Sequence, residues 1–332
     1  MNPEKASVIA GSVSHSYKEV KALEGISFSI PEGELFGFIG PDGAGKTTLF
    51  RILATLLVPF SGTATVMGFD VVKDYKKIRK IIGYMPGRFS LYMDLSVEEN
   101  LAFYATIFGT TISENYHLIK DIYSQIEPFR KRRAGDLSGG MKQKLALSCA
   151  LIHKPAVILL DEPTTGVDAV SRMEFWEMLG RLKESGITIL VSTPYMDEAG
   201  LCDRVALVQN GMIMKIEQPV QVTAGYPFHL VSVASSDIYR LLHDLKEYPG
   251  NHSVHAFGQA AHMAISEKGL DKAVLNNFLQ SMGHNNIIIE DIKPTIEDCF
   301  MELMTTHNAM TPPTPSPLPG EGRGGVLQGP GG

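Results

Sequence analysis

Cysteine is scarce in this 332-residue chain: Cys149, Cys202 and Cys299 stand far apart. An odd number without paired spacing gives neither a disulfide framework nor a thiolate metal site, and points to thiols in a reducing compartment. Long apolar runs are missing too, since none reaches the ~18–20 residues that a membrane-crossing helix requires. The first residues, MNPEKASVIAGSVSHSY, are too polar for the apolar core of a secretory signal. Nor is there a surplus of positive charge, with 30 Lys and Arg against 36 Asp and Glu and a net charge of -6. That balance argues against nucleic acid as a partner. These absences predict a cytoplasmic protein that reaches a membrane only through a partner.

What is present is ordinary globular material, 44% hydrophobic and 20% charged, and long enough for two domains. LFGFI (35–39), AVILL (156–160), ITILVS (187–192) and RVALV (204–208) read as strands buried on both faces. Such continuous apolar runs predict an α/β core with a mostly parallel sheet. Between Leu91 and Leu151 the spacing turns helical in VEENLAFYATIF and KQKLALSCALI, which predicts a helical subdomain inserted at about 88–150. The texture changes again near Phe228. Residues 223–307 read as a small α+β accessory domain of βαββαβ order, the ferredoxin-like arrangement. The Pro/Gly-rich stretch 308–332 lacks the apolar surface to offset its ordering entropy and is expected to be disordered.

GPDGAGKT, Gly40 to Thr47, follows the LFGFI strand and opens the helical run TTLFRILATLL. G-x-x-x-x-G-K-[ST] in that setting is a phosphate-binding loop. Gly40, Gly43 and Gly45 let the backbone curl around an anion, with Pro41, Asp42 and Ala44 between them and Thr48 in the helix behind. Lys46 is positioned for β- and γ-phosphates, and the Thr47 hydroxyl for Mg²⁺. AVILLDEP then carries Asp161 and Glu162 to the carboxyl end of a strand, where open α/β sheets bind ligands. Asp161 is the second candidate for the Mg²⁺ shell, and Glu162 the candidate base that orients or deprotonates an attacking water.

LSGGMKQ, Leu137 to Gln143, ends 18 positions before Asp161. With GPDGAGKTT and VILLDEP in the same order, residues 5–222 resemble the nucleotide-binding subunit of ABC transporters. PTIEDCFMEL, Pro294 to Leu303, resembles the ending of multidrug and antibiotic exporter ATPases. The resemblance implies ATP as the nucleotide and a dimer in which Ser138, Gly139 and Gly140 face the γ-phosphate held by the opposite chain. It implies that Tyr17 stacks on adenine and that Asp168 touches the partner subunit. It implies separate transmembrane permease subunits as partners, a peripheral position on the cytoplasmic face of the membrane, and no nucleic acid.

Two positions depart from the family pattern. Gly87, in GYMPGRFSLY, stands where the family has a nucleotide-sensing glutamine, and Pro194, in VSTPYMDEA, where it has a histidine for the γ-phosphate. Neither replacement supplies a polar group. The expectation is near-normal ATP binding with slow hydrolysis, in a homodimer or in a heterodimer with a fully equipped ATPase. The rival readings are a non-hydrolysing, nucleotide-gated regulatory or scaffold subunit, and a soluble ABC ATPase acting on nucleic acid or ribosomes.

Overall fold

The structure is a computed structural model, which describes residues 6–266 and 271–310. The Pro/Gly-rich segment from residue 311 onward lies outside them. The chain opens with two long strands, β1 (Ala6–Tyr17) and β2 (Val20–Pro31), followed by β3 (Leu35–Ile39) and α1 (Lys46–Leu53). Next come β4 (Ser61–Val66), β5 (Phe69–Asp70), α2 (Tyr75–Ile81) and β6 (Ile82–Met85). The helical insert is α3 (Val97–Ile107), α4 (Ile112–Tyr123) and α5 (Gly139–Leu151). Capping boxes, Ser96 with Glu99 and Thr111 with Glu114, start α3 and α4 by satisfying helix N–H groups reciprocally. The core resumes with β7 (Val157–Asp161), α6 (Ala169–Glu184), β8 (Thr188–Thr193), β9 (Arg204–Gln209), β10 (Met212–Glu217) and α7 (Pro219–Ala224).

The central sheet runs β10-β9-β3-β8-β7-β6, parallel except for β10 on β9. Every residue of β3, β7 and β8 is buried, as their unbroken apolar runs predict. A second sheet, β2-β1-β4-β5, is antiparallel and was not anticipated in the sequence. Its β1–β2 ladder shifts register repeatedly, so the inside/outside alternation that marks a strand is broken along both. The parallel sheet has one hydrophobic cluster on each side. One joins α1 to the antiparallel sheet around Phe36, Phe38 and Phe50, and the other joins the helical insert and α6 around Leu101, Leu145 and Leu179.

The rest is β11 (His229–Ala234), α8 (Ile238–Lys246), β12 (Asn251–Phe257), β13 (Ala260–Ile265), α9 (Lys272–Ser281), β14 (Ile288–Asp291) and α10 (Ile296–Met310). Its antiparallel sheet has the order β12-β13-β11-β14, with a cluster of its own formed by sheet residues and by Leu241, Leu245, Leu275 and Leu279 from α8 and α9. α10 returns to the core, where Ile296, Cys299 and Phe300 enter the cluster beneath the parallel sheet. All three cysteines are free and buried. Among the described residues no helix is long and apolar enough to cross a membrane.

Candidate functional site

The loop Gly40–Thr47 leaves the carboxyl end of β3 and wraps into the N-terminus of α1. A Cβ on Gly40 would lie 2.1 Å from the Val208 carbonyl oxygen, so only glycine fits there. Gly45 has φ 102°, and a Cβ on it would lie 2.4 Å from the Ala22 carbonyl oxygen of β2. Lys46 folds back over the loop and donates to the carbonyls of Gly40 at 2.7 Å and Pro41 at 3.0 Å. Its Nζ is 3.5 Å from Glu162 Oε1. Burial holds the Lys46 ammonium below the usual lysine range, opposed by the charges of Glu162 and Asp42. Asp42 is exposed at the loop tip, and its side chain has no hydrogen-bond partner among the described residues. Ala44 and Thr48 are buried beneath the loop, and among the described residues neither hydrogen-bonds Asp161 or Glu162 through its side chain.

The carboxylates arrive from two strands away. β8 lies between β3 and β7, and the parallel register sets Ser192 directly beside Asp161. Thr47 Oγ1 donates to Asp161 Oδ1 at 3.1 Å, and Ser192 Oγ donates to the same oxygen at 2.6 Å. Oδ2 accepts no hydrogen bond among the described residues. Glu162 follows with φ 50°, a left-handed turn that swings its carboxylate off the strand line toward Lys46. The Thr47 hydroxyl and an Asp161 carboxylate oxygen with free lone pairs form a small hard-oxygen set suited to magnesium that keeps most of its other ligands from phosphate and water, while the neighbouring Lys46 ammonium suits the phosphate itself. Among the described residues no group of three or more His, Cys, Asp or Glu could hold a metal alone, so a metal here would need the phosphates.

Gly87 packs on the turn that carries these carboxylates: a Cβ there would meet the Asp161 carbonyl oxygen at 3.1 Å and Glu162 Cβ at 3.8 Å. The position where the family keeps its glutamine is therefore beside the acidic pair, and it presents no side chain. Pro194 follows the last residue of β8. Thr193 Oγ1 is turned away to Glu198 Oε2 at 2.5 Å, and the Tyr195 ring lies beneath the Arg172 guanidinium at 4.3 Å. Neither neighbour replaces an imidazole aimed at phosphate.

The signature lies apart from the phosphate loop. Ser138 caps α5, accepting from Met141 N–H at 3.4 Å. A Cβ on Gly140 would lie 2.8 Å from Ser171 Oγ, and one on Gly139 3.4 Å from the Gly166 carbonyl oxygen. These glycines permit close packing of α5 on the start of α6. Asp168 caps α6 through Ser171 N–H at 3.0 Å, and that hydrogen bond holds its carboxyl below the usual range. No hydrogen bond or ion pair links Ser138, Gly139, Gly140 or Asp168 to Lys46, Thr47, Asp161 or Glu162 among the described residues. Tyr17 is 43% exposed at the end of β1, its ring edge-on to His15 at 4.8 Å. Its register partner Val20 is two residues from Ala22, which touches Gly45, so the hairpin borders the loop.

Sequence reasoning missed Ser192. Its local signal was weak: it is one of three hydroxyl residues, with Thr188 and Thr193, in the fully buried strand β8. Glu198 is the other omission, a carboxylate 1% exposed that pairs with Thr193 and lies 3.2 Å from Arg172 Nε.

Comparison with known proteins agrees with this geometry. A family model described as "ABC transporter" matches residues 23–165. The chain is 38% identical over 289 residues to the probable multidrug ABC transporter ATP-binding protein YbhF of Escherichia coli K12, covering 85% of this chain and 49% of that protein. It thus spans about half the length of that relative. It is 34% identical over 252 residues to the Nod factor export ATP-binding protein I of Rhizobium sp. N33, covering 71% of this chain and 83% of that protein. Among solved structures, the dimeric ATP-binding cassette MJ0796 bound to ADP and Pi superposes with a TM-score of 0.58 at 26% identity, covering 64% of this chain and 98% of that one. The chain belongs to the ABC transporter ATP-binding proteins.

Proposed function

We propose that this chain is the ATP-binding subunit of an exporter, coupled to separate membrane permease subunits and slow in hydrolysis on its own side of the site. The observation that carries the nucleotide reading is the convergence of Thr47 and Asp161 at 3.1 Å beneath a loop whose Gly40 and Gly45 admit no side chain. Bound magnesium supplies charge neutralisation for the β- and γ-phosphates. The chain's own residues do the rest. Loop N–H groups and the α1 N-terminus hold the phosphate anion. Lys46 exchanges its loop carbonyls for phosphate oxygens, and Thr47 and Asp161 hold the metal. Glu162 accepts a proton from the attacking water.

Two copies, or this chain and a related ATPase, form the working unit, each supplying Ser138–Gly140 and Asp168 to the other's nucleotide; the dimeric form of MJ0796 supports this. Tyr17 stacks on the adenine. Export as the direction of transport is supported by the relatives that are named for multidrug transport and Nod factor export. A cavity of about 310 Å³ lined by Leu56, Met85, Gly87, Phe89, Tyr104 and Glu162 supports a permease seat beside the catalytic carboxylate. Phe60, in the same loop as Leu56, leaves a further large apolar side chain 83% exposed. The chain then sits peripherally on the cytoplasmic face of the membrane.

Slow hydrolysis follows from Gly87 and Pro194, which offer no side-chain polar group at the γ-phosphate end. One well-aimed group at a transition state contributes roughly 2.7–4 kcal/mol. ATP turnover of the purified chain is expected to rise at least tenfold in Pro194→His. A smaller rise is expected in Gly87→Gln, because the new Cβ crowds the Asp161 carbonyl. A wild-type rate equal to that of a fully equipped subunit, unmoved by either change, would refute slow hydrolysis. The same two positions favour the second reading, a non-hydrolysing regulatory subunit; a wild-type chain that binds ATP without turning it over would establish it.

A further inference from the structure

We propose that Ser192 is a positioning residue that sets both carboxylates of the site at once. Its side chain is fully buried, and the parallel register makes it the direct lateral neighbour of Asp161. Facing residues on adjacent strands project to the same side of the sheet, so the hydroxyl meets the carboxylate without a loop to place it. Ser192 Oγ donates to Asp161 Oδ1 at 2.6 Å and accepts from the Glu162 N–H at 3.1 Å. The Ser192 carbonyl accepts from that same N–H at 3.0 Å. One residue thus spends its proton on the metal-side carboxylate and a lone pair on the backbone of the catalytic one.

Each bond has a consequence. Asp161 can rotate about its terminal torsion, which is soft. The short charge-assisted bond from Ser192 pins Oδ1, the oxygen that also accepts from Thr47, and leaves Oδ2 without a hydrogen bond among the described residues. Glu162 holds a left-handed backbone at φ 50°, unfavourable for a side-chain-bearing residue. The doubly accepted N–H anchors that turn, and the turn brings the Glu162 carboxylate to the lysine side. Thr193, one residue on, faces the other way to Glu198, so it cannot substitute. Neighbours of this kind typically change metal affinity or activity by about 10–100-fold when removed.

This role rests on the ATP–magnesium reading above, and the experiment separates the two. Binding of trinitrophenyl-ATP to the purified full-length chain is followed by fluorescence, in EDTA and across a magnesium titration, for wild type, Ser192→Ala, Ser192→Cys and Ser192→Thr. ATP turnover is measured alongside at saturating magnesium. In Ser192→Ala the magnesium midpoint should rise about tenfold. Binding in EDTA should be unchanged, and kcat should fall at least tenfold with little change in KM for ATP. Ser192→Thr, which keeps the hydroxyl, should restore the magnesium midpoint and kcat. Ser192→Cys keeps the volume with a weak donor and should resemble Ser192→Ala, so it decides the matter where the alanine variant does not fold. A wild-type magnesium midpoint in the folded alanine or cysteine variant would overturn the role, as would altered binding in EDTA or a threonine variant no better than alanine. A wild-type chain whose nucleotide binding ignores magnesium would overturn the ATP–magnesium reading itself, and this role with it.

Discussion

Two buried aspartates, one in each half of the molecule, contrast the acid proposed to hold magnesium with a structural one. Asp161 is 1% exposed and Asp298 4%. Both of Asp161's side-chain hydrogen bonds fall on Oδ1, from Thr47 and Ser192, and Oδ2 is left open. Asp298 is closed on both oxygens: His262 bonds Oδ1 at 2.8 Å, and Thr295 bonds Oδ2 through its N–H at 2.8 Å and its hydroxyl at 2.6 Å. The rest of the C-terminal unit follows suit, with His284 on Asp244 and His252 on Glu302, both at 3.0 Å. Burial alone does not mark a site. Burial with unspent hydrogen-bonding capacity at the carboxyl end of a parallel strand does.

Breaking the two aspartates should give opposite outcomes, and the largest effects. Asp161→Asn should cost at least about 10²-fold in ATP turnover with little change in the urea unfolding midpoint. Asp298→Ala leaves His262 and Thr295 without their acceptor and should destabilise by about 3 kcal/mol, with nucleotide affinity of the folded fraction unchanged. Urea melts and a nucleotide-binding titration on both variants test the pair. If Asp298→Ala abolished nucleotide binding in folded protein, the contrast would fail.

Two glycines sharpen the comparison at an intermediate level. A methyl at Gly40 would meet a backbone oxygen at 2.1 Å, which cannot be relieved by rotating a side chain. Gly40→Ala should therefore destabilise by about 1–3 kcal/mol and remove nucleotide binding. Gly87→Ala places its methyl 3.1 Å from a carbonyl oxygen and should cost under about 1 kcal/mol, with binding retained. Equal losses in both would mean the Gly87 turn is as tightly packed as the phosphate loop.

The smallest effect concerns pH. His255 is the cross-strand partner of His262, and burial lowers its pKa below the usual 6.5, opposed by Asp298 and Glu302. The folded state then takes up a proton less readily than the unfolded chain. Stability from this group is intact above about pH 6.5 and falls as the pH drops toward the folded pKa. Melting temperatures at pH 7.5 and 5.5 should show a shallower acid decline in His255→Asn than in wild type. An unchanged slope would remove His255 as the cause.

Much of this was legible in the chain. LFGFI, AVILL and ITILVS announced doubly buried strands because a parallel sheet covered on both faces replaces polar alternation with near-continuous apolar runs. The phosphate loop declared itself because its chemistry lies in consecutive residues. The antiparallel β1–β4 sheet was not legible, since shifts in register erase the alternation that would reveal it. Ser192 was passed over because its importance lies in its neighbour across the ladder, 31 positions away.

The sequence by itself determined the buried strands of the parallel core, the helical insert, the phosphate-binding loop, the acidic pair and the absence of side-chain polar groups at Gly87 and Pro194. Local patterning and short contiguous motifs suffice for these, because period and backbone conformation are set by near neighbours. Only the tertiary structure decided which oxygen of Asp161 stays open and that Gly87 lies against the turn bearing Glu162. It alone assigned Ser192 to bind both acidic residues and closed the buried acids of the C-terminal unit on their own partners. Those facts depend on strand register and on which side chains meet across the sheet, and pairing over long sequence separations is fixed by packing of the whole fold rather than by any local stretch of it.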